Sequence, residues 1–221
     1  MVGTTPFVIV VGIDYSNIGN QALSRALEVA SLHQGAEVHV VNVGSPPWSP
    51  GHGSALDKAI DVDAGLRQVQ QHAAEFVAAM PPHLDKTRIR RVVAHLRTGS
   101  PATSIAQLAA DLDADLVVVG SHGHRGLERF FLGSVAERVS RLARCAVWIV
   151  RPKDHSTADR VPEIEPTCPD CLVKRQATGG AQLWCARHSE HHLRPHRYSY
   201  SSDGINSPET EAYESLPERG A

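Results

Sequence analysis

Short apolar runs alternate with longer amphipathic stretches over the first 150 of 221 residues, and this order constrains the fold more than any other feature. Residues 7–13 form a continuous apolar run, as in a strand buried on both faces of a parallel sheet. Apolar residues at helical spacing follow from Ala22 to Leu32, and Gln34-Gly35 predicts the end of that helix. Further strands are expected at 38–43, 89–96, 116–119 and 146–150, and further helices at 56–80, 101–112 and 134–142.

The resulting order, βαβαβαβαβ, predicts the fold class. It indicates an α/β domain with a five-stranded parallel doubly wound sheet, because right-handed crossovers place helices on both of its faces. Ligands of such sheets bind outside the carboxyl ends of the strands, where the strand order reverses. The candidates at that edge are Asp14, Val43 and the residues that follow Val119.

Composition and charge narrow the class of protein. Hydrophobic residues make up 42% of the chain, which is enough for a folded core. The formal net charge of −2 lacks the field of a general nucleic-acid or anionic-membrane binder. No apolar run approaches the roughly 20 residues that span a bilayer, and the first residues lack the basic segment and cleavage site of a secretion signal, so we expect a cytoplasmic protein.

The segment after the fourth predicted strand is rich in glycine. Gly120 and Gly123 are followed, after nine residues, by Gly133-Ser134 at the start of a helix. Glycines let a backbone approach an anion closely, and a helix N-terminus offers unpaired N–H groups, so this junction suits phosphate. The segment has neither the lysine of a Walker loop nor the spacing of a dinucleotide fingerprint. The alternative is a plain glycine-rich turn with Ser134 as the helix N-cap.

Two motifs together resemble the universal stress protein family: Gly-x2-Gly-x9-Gly-Ser after strand four, and Val-Gly-Ile-Asp-Tyr-Ser at the end of strand one. The resemblance covers residues 6–152. It implies a flavodoxin-like sheet of order 3-2-1-4-5, a homodimer joined through the fifth strands, and binding of ATP or AMP, either alone or with a magnesium ion.

Carried over by position, the resemblance also implies a set of nucleotide-binding residues. It assigns the phosphates to Gly120, Gly123, Gly133, Ser134 and the backbone of Val135. It assigns Asp14 to the nucleotide or its metal, Val43 to the adenine edge, and His122 to the neighbourhood of the ribose and phosphates. Gly12 is a departure, since some ATP-binding relatives have proline there.

A second module is expected beyond residue 152, where apolar periodicity ends. Cys168, Cys171, Cys185 and His188 form a C-x2-C-x13-C-x2-H pattern that suits a tetrahedral zinc site. Residues 172–175 and 181–184 are predicted to pair as a hairpin, which would make the module zinc-ribbon-like. His191, His192 and His196 are alternative fourth ligands. A redox CxxC is the competing interpretation, disfavoured because neither a strand nor a helix N-terminus is predicted at that point.

These observations predict the following organisation: an α/β nucleotide-binding domain at 1–152, a linker at 153–165, the zinc module at 166–200 and a disordered tail at 201–221. No catalytic set is evident, so we expect a nucleotide-dependent sensor or adaptor with slow ATP hydrolysis at most. An adenylyl-transfer enzyme and a nucleotide-free dimeric scaffold are the alternatives. The module is expected to be a structural clip or to contact a protein partner. Nucleic acid is unfavoured because residues 151–221 carry 9 Lys and Arg against 11 Asp and Glu.

Overall fold

The structure, a computed structural model, describes residues 5–44, 62–123, 132–153 and 167–190. The chain divides into two compact units, Met1–Pro152 and Lys153–Ala221. The predicted linker from residue 154, the alternative histidines at 191, 192 and 196, and the predicted tail at 201–221 lie outside the described residues.

The first unit alternates strands and helices along the chain. Its elements are β1 (Val8–Ile13), α1 (Asn17–Ala30), β2 (Ala36–Gly44), α2 (Val62–Ala78), a 3-10 turn (Lys86–Arg88), β3 (Ile89–Thr98), α3 (Pro101–Asp111), β4 (Leu116–Gly120), α4 (Ser134–Leu142) and β5 (Ala146–Val150). All strand pairs are parallel, and the sheet order is β3-β2-β1-β4-β5. The predicted α/β fold and strand order are therefore confirmed.

The core lies on both faces of this sheet, with β1 at its centre. All six residues of β1 are buried, which explains why its sequence is apolar throughout. Ile9, Val11 and Ile13 pack with residues of α1 and α2 on one face, whereas Val8 and Val10 pack with α3 and α4 on the other. This arrangement leaves the carboxyl ends of the strands free to present loops.

Several predicted element boundaries differ from the structure. Helix α1 begins earlier than its apolar pattern suggests, because the Ser16 side chain caps it by accepting the N–H of Gly19, 3.1 Å away. Leu32, assigned to that helix by its spacing, lies beyond it and is 68% exposed. Strands β2 and β3 are both longer than predicted. Of the helix predicted at 56–80, the described part is α2, from Val62.

The described part of the second unit is helical, and the hairpin predicted there is wrong. It contains α5 (Pro169–Ala177) and α6 (Ala186–Glu190). Pro169 occupies the first turn of α5, where its missing N–H has no cost, so residues 172–175 continue a helix. The predicted turn at 178–180 instead ends α5: Gly180, at a φ of 91°, donates its N–H to the carbonyl of Arg175 at 2.8 Å.

Among the described residues, none of the helices combines the length and the apolar character that crossing a membrane requires.

Candidate functional site

The first candidate site lies where β1 and β4 are neighbours, at the carboxyl edge of the sheet. Asp14 directly follows β1 in a tight turn. One oxygen of its carboxylate, Oδ1, accepts the backbone N–H of Ser16 at 3.0 Å and the Ser16 hydroxyl at 2.5 Å. These bonds hold the carboxylate in one orientation at the start of α1.

The middle residue of this turn has an unusual backbone. Tyr15 has a φ of 62°, in the left-handed region that residues with a side chain seldom adopt. Its ring packs edge-on against the ring of His72, with centroids 5.0 Å apart, and burial raises the pKa of its hydroxyl. His72 in turn shares a 2.9 Å hydrogen bond with the side-chain carbonyl of Asn20. Contacts from α1 and α2 therefore hold the strained turn that carries Asp14.

Two glycines lie against the Asp14 carboxylate. A Cβ atom added to Gly123 would lie 2.5 Å from Oδ2, and one added to Gly19 would lie 2.5 Å from Oδ1. Both distances are far below an ordinary carbon–oxygen contact of about 3.3 Å. The glycines therefore let the backbones of α1 and of the segment after β4 approach the carboxylate.

The end of β4 is joined to the start of α4. Gly133 donates its N–H to the carbonyl of Ser121 at 2.8 Å, and Ser121 donates its own N–H to the carbonyl of Val150 at 2.8 Å. A Cβ added to Gly133 would lie 2.8 Å from that Ser121 oxygen, so the approach requires glycine. Gly120, at the end of β4, packs equally closely on Ile18 in the first turn of α1.

His122 lies beside both Gly120 and Gly133. The Nδ1 atom of its ring is 3.0 Å from the Ser121 hydroxyl. The Nε2 atom is buried and has no hydrogen-bond partner among the described residues. A buried ring nitrogen without a partner is costly, and a bound polar ligand would satisfy it.

The N-terminus of helix α4 lies at this edge, and its N-cap residue makes no side-chain hydrogen bond to it. Its N-cap residue is Gly133, which has no side chain to accept the N–H groups of the first turn. Ser134 and Val135 are the first two residues of that turn. The positive end of the helix dipole and these amides together favour an anion.

Val43 lies one strand away, near the end of β2. Ile13 pairs with Asn42 in the β1–β2 register, so Val43 lies beside the strand end that precedes Asp14. The Asn42 side chain donates an N–H to the carbonyl of Ile13 at 2.9 Å and ties the two strand ends together. Val43 itself packs on the core face that α3 and α4 cover.

The structure thus joins the predicted residues into two groups. Asp14 and Gly123 are in contact, and His122 and Gly133 are in contact through Ser121. Val43 lies on the same edge without a described contact to either group. The part of the glycine-rich segment from 124 to 131 lies outside the described residues.

Comparison with known proteins places this arrangement in a family. The profile described as "Universal stress protein family" matches residues 7–151. The chain belongs to this family. The resemblance that the two sequence motifs carry is therefore confirmed for the α/β unit.

The relatives are similar over that same region. Universal stress protein MJ0531 of Methanocaldococcus jannaschii is 33% identical over 150 residues, which cover 65% of this chain and 81% of the relative. Universal stress protein E of Salmonella typhi is 32% identical over 146 residues, and this chain spans 44% of the length of that protein.

Solved structures are similar to the first unit of this chain. Universal stress protein UspA from Lactobacillus plantarum has a TM-score of 0.51 and 25% identity, and the match covers 67% of this chain and all of that one. A universal stress protein solved in complex with cAMP has a TM-score of 0.46 and 23% identity, with 68% of this chain covered and 100% of that one.

The second candidate site lies in the C-terminal unit. The ligand atoms of Cys168, Cys171, Cys185 and His188 all lie within 4.8 Å of one another. The Nδ1 atom of His188 is 3.2 Å from the Cys171 sulfur and 3.6 Å from the Cys185 sulfur. The structure therefore brings the four predicted metal ligands together, with three soft sulfur donors and one nitrogen donor.

The position of the first two cysteines corrects one expectation. Cys168 is the N-cap of α5 and Cys171 lies in its first turn, so the CxxC pair does lie at a helix N-terminus. A backbone hydrogen bond from Cys171 lowers the pKa of the Cys168 thiol. The sequence signal for this helix was the proline directly after Cys168.

Sequence reasoning missed a polar cluster between β2 and β3. Glu37 is 2% exposed, and its carboxylate pairs with the guanidinium groups of Arg90 and Arg91, the latter through Nε at 2.6 Å. His39 lies 3.4 Å from the same carboxylate and 2.9 Å from a ring nitrogen of His95. Burial lowers the pKa of both histidines, that of His95 to about 4.

Proposed function

We infer that the α/β unit binds an adenine nucleotide, ATP or AMP, and acts as a nucleotide-dependent sensor or adaptor in the stress response. The observation that carries this proposal is the N-terminus of α4, whose N-cap residue Gly133 has no side chain and which the Gly133–Ser121 hydrogen bond holds beside the end of β4. An anion with several oxygens suits those amides. Family membership supports the same conclusion.

The residues at this edge fit such a ligand. In this proposal the amides of Ser134 and Val135 hold the phosphates, and Gly133, whose own N–H is bonded to Ser121, lets the start of α4 lie beside the end of β4. Gly120 and Gly123 line the same edge beside the phosphates. Asp14 contacts the nucleotide or a magnesium ion bound to it. Its carboxylate is already fixed by Ser16, so little conformational freedom is lost on binding.

Val43 and His122 are proposed to contact the base and the sugar of the nucleotide. Val43 offers an apolar surface at the end of β2 for the adenine edge. The unpartnered Nε2 atom of His122 would hydrogen-bond to the ribose or a phosphate oxygen, which removes the cost of its burial.

A sensor is favoured over an enzyme by the chemistry of the described residues. The hydrogen-bonded pair of Ser121 and His122 resembles a nucleophile with its base, but Ser121 is 1% exposed and out of reach of a substrate. We therefore expect ATP hydrolysis, if measured, to be slow. An adenylyl-transfer enzyme would instead release pyrophosphate with a co-substrate, and a scaffold would bind no nucleotide.

The organisation of the chain completes the proposal. We propose an α/β domain at 1–152, a cytoplasmic location, and a homodimer through β5. That strand is at one edge of the sheet, and Trp148 on it is 40% exposed, a large apolar side chain that a partner would cover. The C-terminal module at 166–200 is proposed to hold a structural zinc ion through Cys168, Cys171, Cys185 and His188, and to serve as a clip or as a contact for a protein partner.

The direct test of nucleotide binding is calorimetric titration of ATP, ADP and AMP, with and without magnesium. Ser134→Glu is the informative variant, because a carboxylate at the first turn of α4 suits the helix dipole but repels phosphate. Ser140→Glu adds the same charge to an exposed position of the same helix and is the matched control.

We expect saturable binding by the wild type and the control, and loss of binding in Ser134→Glu at an unchanged or higher melting temperature. Equal binding by all three proteins would refute the proposed phosphate site. Absence of binding at millimolar nucleotide would leave the scaffold as the better function.

A further inference from the structure

We propose that Cys168 and Cys171 are an oxidisable dithiol, and that peroxide converts them to a disulfide that releases the metal and loosens the contact between α5 and α6. This inference rests on the proposed metal site and assigns it a regulation. The three module cysteines are free thiols in the structure.

The first argument is the position of the pair. Cys168 is the N-cap of a nine-residue helix and Cys171 lies in its first turn, separated by two residues. CxxC pairs at helix N-termini are a common form of reversible protein dithiols. The remaining module cysteine, Cys185, is 14 positions from Cys171, and closing a longer loop costs more entropy.

The second argument is a difference in exposure that orders the two steps. Cys171 is 2% exposed, whereas Cys168 is only partly buried. A dissolved oxidant therefore meets Cys168 first. Cys171, whose sulfur lies in the same helical turn, is then in place to resolve the product.

The third argument is the part that Cys171 has in joining the two helices. Its sulfur accepts the backbone N–H of Cys185 at 3.4 Å and lies 3.2 Å from Nδ1 of His188, on α6. A disulfide sulfur is a weaker acceptor and a weaker metal ligand than a thiolate. A disulfide between Cys168 and Cys171 therefore weakens the contacts that the Cys171 sulfur makes with Cys185 and α6, whereas a disulfide from Cys171 to Cys185 would join these segments covalently.

The reaction balances with hydrogen peroxide as the oxidant. The Cys168 thiolate attacks one peroxide oxygen, the O–O bond breaks, and the products are a sulfenic acid and hydroxide. The Cys171 thiolate then attacks the Cys168 sulfur, the S–S bond forms, the S–O bond breaks, and a second hydroxide leaves. Both hydroxides take up protons to become water, and the two thiolates have supplied the two electrons. The metal keeps only Cys185 and His188 as ligands and dissociates.

The experiment uses the full chain, purified without oxygen and loaded with zinc. Metal content is measured first. Hydrogen peroxide is then added, and zinc release is followed with a chelating dye while the disulfides are mapped by alkylation and peptide mass. Cys168→Ser and Cys185→Ser are the matched variants, because each removes one sulfur ligand but only the first removes the proposed dithiol. Cys145→Ala removes the cysteine of the α/β unit as a further control.

We expect a disulfide between Cys168 and Cys171, release of zinc in step with it, and recovery of both thiols with a dithiol reductant. The same disulfide should form in Cys185→Ser, and thiol oxidation in Cys168→Ser should be at least about tenfold slower. A disulfide that includes Cys185, or equal rates in the two variants, would overturn the inference. A chain that binds no zinc but still forms the Cys168–Cys171 disulfide would overturn the proposed metal site, and with it the metal release, while supporting the dithiol.

Discussion

Replacing Gly123 with alanine tests the contact on which the geometry of the proposed nucleotide site depends. The added Cβ would lie 2.5 Å from Oδ2 of Asp14, about 0.8 Å closer than an ordinary carbon–oxygen contact. Asp14 cannot turn away freely, because Ser16 holds its other oxygen and Gly19 packs against it. The strain must therefore move the turn or the segment after β4.

The magnitude follows from two opposing effects. Gly123 is exposed, but the carboxylate that the new Cβ meets is held in place, and overpacking against atoms that cannot move costs about 1–3 kcal/mol. Alanine also restricts the unfolded chain and stabilises by about 0.4–1 kcal/mol where its backbone conformation is acceptable, and Gly123 is not among the residues at positive φ. We expect a net loss of unfolding free energy of about 1–2 kcal/mol. A similar displacement in the complex would weaken ATP binding by about tenfold.

Two Asp14 backgrounds isolate the cause. Asp14→Ala removes the oxygen that the new Cβ meets, so there Gly123→Ala should become neutral or stabilising. Asp14→Asn keeps the shape of the side chain without its charge, so there the alanine should remain destabilising. Unfolding free energies from urea titrations give the complete cycle. The same cost of Gly123→Ala in all three backgrounds would show that the contact with Asp14 is not its cause.

Two further predictions concern the polar cluster between β2 and β3. The pKa of His95 is about 4 in the folded protein and near 6.5 in the unfolded chain. Between these values the unfolded state binds more protons, so the free energy of unfolding falls as the pH falls from 6.5 towards 4. His95→Gln should reduce this pH-dependent loss of unfolding free energy by about 1–2 kcal/mol after allowance for solvent screening. Urea unfolding at pH 7 and at pH 4.5 measures the loss, and His83→Gln, at an exposed position, should leave it unchanged. Glu37→Gln should lower the unfolding free energy by about 2–3 kcal/mol, since it leaves two arginines against a neutral buried amide. An effect no larger than that of Glu28→Gln, on the helix surface, would contradict the assigned burial of Glu37.

The sheet of the first unit was predictable because its strands offer few alternatives. The run Val8–Ile13 is apolar at every position, so both faces of the strand are apolar and the strand is expected at the buried centre of a sheet. Helix ends were harder to place. The cap at Ser16 comes six residues before the first apolar residue used to locate α1, and a boundary of this kind depends on one side-chain hydrogen bond.

The second unit shows how a correct local signal supports a wrong element. The Gly179-Gly180 turn is present, but it ends a helix instead of joining two strands. Pro169 after an N-cap residue was the available signal for that helix. The spacing of the cysteines correctly predicted that their sulfur atoms would lie close together. Such a spacing limits the distance between the ligands, but it does not specify whether the residues between them are helical or extended.

The polar cluster required information that no single segment contains. Glu37 and His39 alternate with valines in β2 and so lie on one face, which the sequence does indicate. Their partners depend on the register with β3, and that register shifts between Ala36 and Glu37, so that Arg90 and Arg91 both reach one carboxylate. A single extra residue in a strand changes which side chains meet, and local pattern does not predict it.

The glycine motif after β4 is different, because the contacts it makes come from the glycines themselves and not from the residues between them. The hydrogen bond from Gly133 to Ser121 joins the two ends of the motif directly, and a Cβ on Gly133 would break it. Asp14, which is distant in the sequence, reaches the same place because β1 and β4 are neighbours in the sheet. The glycines are therefore needed for two close approaches, one between segments that follow β4 and one to the carboxylate after β1. A sequence that keeps the glycines but loses the order of the strands would lose the second approach, so the motif predicts this site only together with the fold.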